Sequence, residues 1–243
     1  MAMLDWLRRS PDTEPSITLG EVTLPIVIRR LAHARRLTLR LAPDGSEVRL
    51  SMPQWSRTAD ALDFVRSRQG WLKAQLVAVP ATAAPTHGSG IAYRGELLRL
   101  EHDSASTRRV RLDDAALWCG GPAENLPARL RRWLEGEARR LLAADLADYC
   151  ARAGKPVPKL ALSGATRRWG SCSAKGAIRI NWRLIMAPDF VRRSVVAHEV
   201  AHLVHFDHSP AFHTLLGDLF EGDLRAANRW LKREGRGLYT AFG

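Results

Sequence analysis

We predict an α+β fold from three patterns in the sequence. Short segments in which apolar and polar residues alternate dominate residues 17–124, and this period of two is typical of half-buried strands. Residues 125–153 instead carry apolar side chains at helical spacing, and most of the chain after residue 188 has the same period. The 243 residues are 46% hydrophobic and 26% charged, which supplies a buried core and excludes a disordered or collagen-like chain.

Changes in composition predict the domain organisation. Residues 79–90 are rich in Pro, Ala, Gly and Ser and indicate a linker within the β-rich half of the chain. We expect a flexible tail over residues 1–16, a β-rich N-terminal region with one helix over residues 17–124, and a C-terminal domain over residues 125–243. The alternating residues of 17–52, interrupted by a Pro-Asp-Gly turn, predict an antiparallel meander.

The C-terminal domain is expected to place a hairpin before its last helices. Residues 166–185 have the pattern of a hairpin, and alternation over the eight positions from Ile178 to Ile185 predicts that its second arm is a half-buried strand. An edge strand of this hairpin could pair with the backbone of an extended substrate. Helical periods predict helices over residues 188–206, 210–219 and 224–234.

Positive charge is concentrated in one part of the chain. Lys and Arg total 37 against 25 Asp and Glu, which gives a formal net charge of +12. Residues 125–183 contain 13 basic and only four acidic residues, a surplus of nine. Such a surplus predicts a basic face that attracts phosphate or an acidic polymer, so DNA is a candidate partner of this segment. The alternative is a soluble protein that happens to be rich in arginine.

The cysteines indicate a reducing compartment. Cys119, Cys150 and Cys172 are odd in number and widely spaced, which fits neither a disulfide framework nor a Cys-x-x-Cys metal site. The N-terminal residues lack the apolar core of a signal peptide, and no stretch approaches 18 uninterrupted apolar residues. We therefore expect a cytoplasmic protein that has no membrane partner.

A histidine cluster near the C-terminus carries the strongest functional signal. His198 and His202 are four residues apart in a predicted helix, so their imidazoles lie one turn apart and can point at a single metal ion. Glu199 borders the same helix face without being needed as a ligand, and it can hold and deprotonate a metal-bound water. The His-Glu-x-x-His spacing therefore predicts a catalytic metal site.

A catalytic zinc ion usually takes three protein ligands and leaves the fourth position to water. His205 lies on the same helix face but too far along the helix axis to share the ion. The Ser-Pro pair at residues 209–210 indicates a new helix start, so the chain must turn before it, and this turn can bring His208 to the metal. Glu221 and His213 are the alternatives for the third ligand.

The predicted donor set points to amide hydrolysis. A neutral three-histidine site leaves the full charge of the metal to lower the pKa of its water, and Glu199 can pass the proton on to a leaving amine. Ligand preference favours zinc, one ion per chain. The acidic residues that could orient the imidazoles are Asp207, Asp218, Glu221 and Asp223.

Three sequence segments extend the histidine motif. They are Thr166-Arg167-Arg168-Trp169-Gly170-Ser171-Cys172-Ser173, then Gly176-x-Ile178-x-x-Asn181-Trp182-Arg183-Leu184, and finally His198-Glu199-x-x-His202 with His208-Ser209-Pro210-x-Phe212. Together they resemble the YgjP-like metallopeptidases, which are related to the SprT-type zincins. The resemblance implies a zincin-like domain in which an active-site helix packs on a small mixed sheet. It also implies that zinc is held by His198, His202 and His208 and that Glu199 is the catalytic acid/base.

The chain departs from the family pattern at two places. An additional arginine stands in the Arg167-Arg168 pair, and His213 occupies a position where the family usually has tryptophan. The second departure alters the expected wall of the active-site pocket. We take Arg168, Trp169, Ser171 and His213 as candidate substrate-binding residues.

The sequence thus predicts a zinc-dependent metallopeptidase that hydrolyses peptide bonds in a protein or peptide substrate, with Glu199 activating a metal-bound water. The alternative is a nucleic-acid-associated zinc protein whose protease activity is conditional on DNA or absent. The basic segment 125–183 and the DNA-associated function of the SprT relatives support this alternative. An amidase that acts on a non-peptide amide would use the same residues.

Overall fold

The fold is mixed α+β, and the chain divides into two compact units, Met1–Ala81 and Thr82–Gly243. The division falls inside the predicted linker, whereas the boundary predicted between residues 124 and 125 lies within the second unit. The computed structural model describes residues 15–42, 45–77, 84–240 and 242.

The predicted tail and linker are only partly covered by these ranges. Residues 1–14 of the tail and residues 79–83 of the linker lie outside the described residues. Ser16, which we placed in the tail, is the first residue of a strand.

The first unit is a four-stranded sheet with two helices. Its elements are β1 (Ser16–Leu19), β2 (Val22–Leu31), β3 (Thr38–Leu41), β4 (Val48–Pro53), α1 (Thr58–Ser67) and α2 (Gln69–Val77). The strand order is β1-β2-β4-β3, and β2 and β4 run parallel. The predicted antiparallel meander is therefore wrong. Val48, Leu50 and Met52 of β4 are fully buried, and a strand buried so completely takes an inner position beside β2.

The second unit repeats this strand order. Its first sheet consists of β5 (Gly90–Tyr93), β6 (Glu96–Asp103), β7 (Arg111–Asp113) and β8 (Ala116–Gly120). The order is β5-β6-β8-β7, with β6 and β8 parallel at the centre and antiparallel pairs outside. Leu100 of β6 pairs with Leu117 of β8, and both are fully buried. The two sheets share this order although no repeated residues are visible in the sequence.

A long helix, α3 (Leu126–Arg152), passes through the core of the second unit, as the helical period predicts. Gly154 takes a φ of +61° just after the helix, a conformation that glycine adopts without strain and that ends helices. The buried residues of α3 share one core with those of β5, β6 and β8. The buried apolar residues of α3 are Leu126, Leu130, Leu134, Ala138, Leu142, Leu146, Tyr149 and Cys150.

A small mixed sheet follows α3. It consists of β9 (Leu160–Ser163), β10 (Gly170–Cys172) and β11 (Ile178–Asn181) in the order β10-β11-β9. The strand predicted from Ile178 to Ile185 ends early, at Asn181. The Asn181 side chain accepts a hydrogen bond of 3.1 Å from the Arg183 backbone N–H, which starts a 3₁₀ turn instead of continuing the strand.

The last three helices are α4 (Asp189–Ala201), α5 (Pro210–Leu219) and α6 (Leu224–Glu234). The helix predicted over residues 188–206 ends five residues early. Its last turn tightens, because the Leu203 and Val204 N–H groups bond to carbonyls three residues back, at 2.9 and 3.1 Å. Among the residues that the structure describes, none of the helices has both the length and the apolar content to cross a membrane.

Buried ion pairs join α4 to α3. Arg192 Nε lies 2.7 Å from Asp145 Oδ2, and both residues are at most 5% exposed. Arg193 donates to Asp145 at 3.1 Å and to Asp148 at 2.7 Å. Because removing one partner would leave a buried charge unpaired, these contacts constrain the position of α4 on α3.

Candidate metal centre

The candidate metal centre lies at the C-terminal end of α4. Val191, Val196 and Val200 are fully buried and anchor the helix in the core. His198 lies in the last turn, and His202 is the residue that ends the helix. Their ring centroids are 4.8 Å apart, as expected for side chains one helical turn apart.

His208 reaches this pair through the turn between α4 and α5. Ser209 is the N-cap of α5 and accepts a hydrogen bond from the Phe212 N–H at 3.4 Å, and Pro210 occupies the first turn. The His208 Nε2 atom lies 3.3 Å from His198 Nε2. One nitrogen from each of His198, His202 and His208 lies within 4.8 Å of the others, so the three residues could bind a metal ion.

Phe212 supports all three imidazoles from α5. Its side chain is fully buried, and its ring centroid lies 5.0 Å from His198, 4.6 Å from His202 and 4.8 Å from His208. A rigid aromatic ring in contact with three rings restricts their rotation. Phe212 therefore preorganises the cluster.

Hydrogen bonding orients His202, and burial keeps His198 neutral. His202 Nδ1 lies 3.1 Å from the His205 carbonyl oxygen, which only accepts, so Nδ1 carries a proton and Nε2 is the nitrogen directed to the cluster. Burial, with smaller contributions from His202, His208 and His213, lowers the pKa of His198 to about 4. At neutral pH, His198 is thus uncharged.

The distance between two of the donor nitrogens fits a tetrahedral metal ion. Two nitrogens at about 2.05 Å from one tetrahedral ion are about 3.3 Å apart. The observed distance between His198 Nε2 and His208 Nε2 is 3.3 Å. Neutral imidazole nitrogens are also among the preferred donors of zinc.

Glu199 lies beside the cluster and is 5% exposed. Burial raises its pKa to about 7, although the charge of Arg168 and a hydrogen bond from the Cys172 backbone N–H act in the opposite direction. Its carboxylate faces β10, where the α-carbon of Gly170 leaves room for it. A methyl group at Gly170 would lie 2.6 Å from Glu199 Cγ.

We expect Gly170→Ala to displace Glu199 and, from the role that the sequence predicts for this carboxylate, to lower turnover by about 10-fold or more, because misplacement of a catalytic group by an ångström is costly. The metal content should not change, since the atoms nearest to a methyl group at residue 170 belong to Glu199 and not to an imidazole. Elemental mass spectrometry and turnover of the purified variant measure the two effects. Gly164→Ala is the matched control, because its new methyl group would have no neighbour closer than 3.9 Å. Normal turnover of Gly170→Ala would contradict the close packing of Glu199 on β10.

A cavity of about 410 Å³ opens beside His198 and Glu199. Two of the four candidate substrate-binding residues, Trp169 and His213, line it. Arg168 is exposed and acts on Glu199 through its charge, whereas Ser171 does not line the cavity. Residues to which the sequence assigned no individual role also line it, namely Gly170, Ser194, Val195, Leu216, Leu224, Asn228 and Leu231.

The alternative ligands lie elsewhere. Glu221 accepts hydrogen bonds from Arg193, Tyr149 and Arg152 at 2.5, 2.9 and 3.0 Å, away from the histidines. His213 borders the cluster, with its ring centroid 6.4 Å from that of His208. Two of the acidic residues expected to orient the imidazoles cap helices or turns instead: Asp207 accepts from the Ser209 N–H and Asp223 from the Arg225 N–H.

The contacts of Glu221 predict a pH-dependent contribution to stability. Partial burial alone would raise the pKa of Glu221, but hydrogen bonds from Arg193 and Tyr149 hold it at about 2. A lowered pKa stabilises the folded state above the ordinary value of 4.5, and this contribution is lost as the pH falls towards 2. Because the side chain is 46% exposed, we expect only about 1 kcal/mol.

Urea unfolding of wild type and Glu221→Gln at several pH values measures this contribution. The difference in unfolding free energy should be constant from pH 7 to 5 and should shrink below pH 4.5. The exposed Glu124 provides the control substitution Glu124→Gln. A difference that is independent of pH down to 2.5 would show that the contacts of Glu221 do not contribute through its charge.

Fold and site together define a mixed α+β protein in which a buried carboxylate adjoins three histidines able to bind a metal. The sequence matches the family model described as YgjP-like, metallopeptidase domain, over residues 35–234, and the chain belongs to this family. The resemblance drawn from the three motif segments is thereby confirmed. The search of curated proteins and the search of solved structures found no match.

Proposed function

We propose that this protein is a zinc-dependent peptidase in which His198, His202 and His208 hold one zinc ion and Glu199 is the catalytic acid/base. The convergence of three imidazole nitrogens within 4.8 Å carries the proposal, and membership of a metallopeptidase family supports it. When bound, zinc would act as a Lewis acid and lower the pKa of a water molecule. Proton transfer and substrate binding would be carried out by residues of the protein.

Glu199 is placed to move protons. Its carboxylate is buried between α4 and β10, and the Cys172 N–H holds it in one orientation. A fixed carboxylate beside the reacting atoms can take a proton from the attacking water and give it to the leaving amine. Such proton transfer completes the cleavage of an amide bond.

The edge of β10 offers a place for an extended substrate. The backbones of Trp169 and Ser173 form hydrogen bonds on the side of β10 that faces β11. The Asn181 N–H donates to the Trp169 carbonyl at 2.7 Å, and the Ser173 N–H donates to the Ala177 carbonyl at 3.0 Å. Because hydrogen-bonded residues alternate along an antiparallel strand pair, the N–H and C=O groups of Gly170 and Cys172 point away from β11. With the Cys172 N–H on Glu199, the N–H and C=O of Gly170 remain on the open edge beside the catalytic carboxylate. A peptide paired there would present its backbone next to Glu199.

The proposed function is tested by measuring metal content and peptide cleavage in the same preparation. We expect about one zinc per chain by elemental mass spectrometry. Incubation with denatured casein and with a mixed peptide library should produce new amino termini, detected by mass spectrometry. A protein that neither contains nor takes up zinc would contradict the metal site. A zinc-loaded protein that cleaves no peptide bond would contradict the peptidase and favour a non-peptide amide as substrate.

A further inference from the structure

A positively charged cavity lies apart from the candidate metal centre. It measures about 640 Å³ and is formed by the loop before β7 and the first turns of α3. Four of its lining residues are arginines: Arg108, Arg109, Arg129 and Arg132. Neither Asp nor Glu lines it. Its volume is in the range of about 300 to 1,000 Å³ that is usual for ligand sites.

The four guanidinium groups lack acidic partners. Within the described ranges, none of them forms an ion pair with a carboxylate, although Arg109 also lines a smaller cavity that contains Glu101 and Asp103. The nearest acids along α3 are used elsewhere, because Glu135 pairs with Arg131 at 2.9 Å and Glu137 with Arg140 at 2.6 Å. Glu124 is exposed and does not line the cavity. Four positive charges around one concave surface therefore create a positive potential that favours an anion.

The backbone is shaped to bring these arginines together. Gly121 has a φ of +81°, and a methyl group there would lie 2.7 Å from Arg108 Cγ and 3.3 Å from Arg129 Nη1. Arg129 Nη2 donates to the Pro122 carbonyl at 2.6 Å, which fixes the guanidinium, while its Nε is buried and has no partner among the described residues. Asn125 and Ala128 line the cavity, so the positive end of the α3 dipole adds to the same field.

Trp133 adds an aromatic surface. It is half-buried, its centroid lies 5.1 Å from that of Tyr93, and part of it lines the cavity. Guanidinium groups bind phosphate oxygens in pairs, and aromatic rings stack on unpaired bases. An acidic peptide would use the arginines but not the ring, and a duplex would keep its bases out of a concave cavity.

We propose that this cavity binds single-stranded nucleic acid, with phosphates on the arginines and a base beside Trp133. The site is independent of the proposed zinc chemistry. It differs from the basic segment 125–183 considered in the sequence, because it recruits Arg108 and Arg109 from outside that segment. Arg131, Arg140 and Arg152, inside the segment, are engaged in ion pairs.

The proposal is tested by titrating a fluorescently labelled oligothymidylate of twelve nucleotides with the full chain and measuring its fluorescence anisotropy. The test variant is Arg109→Gln with Arg132→Gln, since both side chains are exposed and their loss should not affect folding. The control is Arg139→Gln with Lys232→Gln, which removes the same charge from exposed positions outside the cavity. We expect at least 10-fold weaker binding by the test variant and less than a twofold change in the control.

Salt dependence provides a second readout. Each lost phosphate contact should reduce the slope of log K against log salt by about 0.7, so the test variant should lose about 1.4. Zinc content and thermal unfolding of both variants should match wild type. Equal weakening by test and control variants would assign the binding to net charge and overturn the proposal, as would the absence of binding.

Competition experiments identify the ligand. Unlabelled oligothymidylate should displace the probe at micromolar concentration, whereas inorganic phosphate and thymidine monophosphate should need millimolar concentrations. If inorganic phosphate displaced the probe as readily as the oligonucleotide does, the proposed binding of single-stranded nucleic acid would be overturned. The cavity would then be a small-anion site. Displacement by polyglutamate of equal charge would overturn recognition of a nucleic acid.

Discussion

Glu199→Gln is expected to lower the turnover number by about 10³-fold while the metal content stays unchanged. Glutamine has nearly the same volume as glutamate and can still accept a hydrogen bond from the Cys172 N–H, so the packing against Gly170 should persist. It cannot take up a proton, and general acid/base catalysis typically contributes about 10²- to 10⁴-fold. The imidazoles are untouched, so the metal content should equal that of wild type.

Turnover of a cleaved peptide and zinc content measure the two halves of this prediction. Glu124→Gln is the matched control, because it makes the same chemical change at an exposed position. Unchanged turnover in Glu199→Gln would remove the assigned role of this carboxylate. Loss of zinc would show instead that Glu199 contributes to metal binding.

His208→Ala is expected to weaken zinc binding by well over about 100-fold. Loss of a residue that only hydrogen-bonds to a metal ligand typically costs about 10- to 100-fold, and loss of a ligand itself should cost more. His208 supplies one of the three converging nitrogens, and the remaining two cannot complete a stable site. Its side chain is exposed, so the fold should tolerate alanine. Competition with a chromophoric zinc chelator gives the affinity.

Two neighbouring histidines provide controls for this prediction. His205→Ala keeps the backbone carbonyl that accepts the His202 hydrogen bond, so zinc binding should be nearly unchanged. His213→Ala removes a ring that lies outside the cluster. Zinc loss in His213→Ala with full retention in His208→Ala would reverse the assignment of the third ligand.

Local spacing was sufficient to predict the centre of the site. A separation of four residues places His198 and His202 together on any helix, and a Ser-Pro pair starts a helix wherever the chain allows it. The turn that brings His208 back follows from these two rules. The α+β class, the long helix α3 and the family could be predicted for the same reason, because each depends on patterns within a short stretch of chain.

Features that depend on distant residues could not be predicted. The need for glycine at residue 170 arises from the Glu199 side chain, 29 residues later in the chain. The role of Phe212 requires three rings to be in place at once. The order of β3 and β4 depends on which strand is most deeply buried, and that is decided by everything packed around the sheet. The early end of β11 depends on one side-chain hydrogen bond that alternation does not reveal.

The strand order that occurs in both units has a kinetic consequence. Its central parallel pairs join residues close in sequence, such as Ile26 with Val48, 22 positions apart, and Arg99 with Ala116, 17 apart. The contacts that hold α4 and Glu221 against α3 close longer loops: 47 residues for Arg192 with Asp145, and 72 for Tyr149 with Glu221. Closing the longest of these costs about 1 kcal/mol more chain entropy than closing the sheets. During folding, the two sheets therefore form from more local sequence than the contacts that hold α4 and Glu221 against α3.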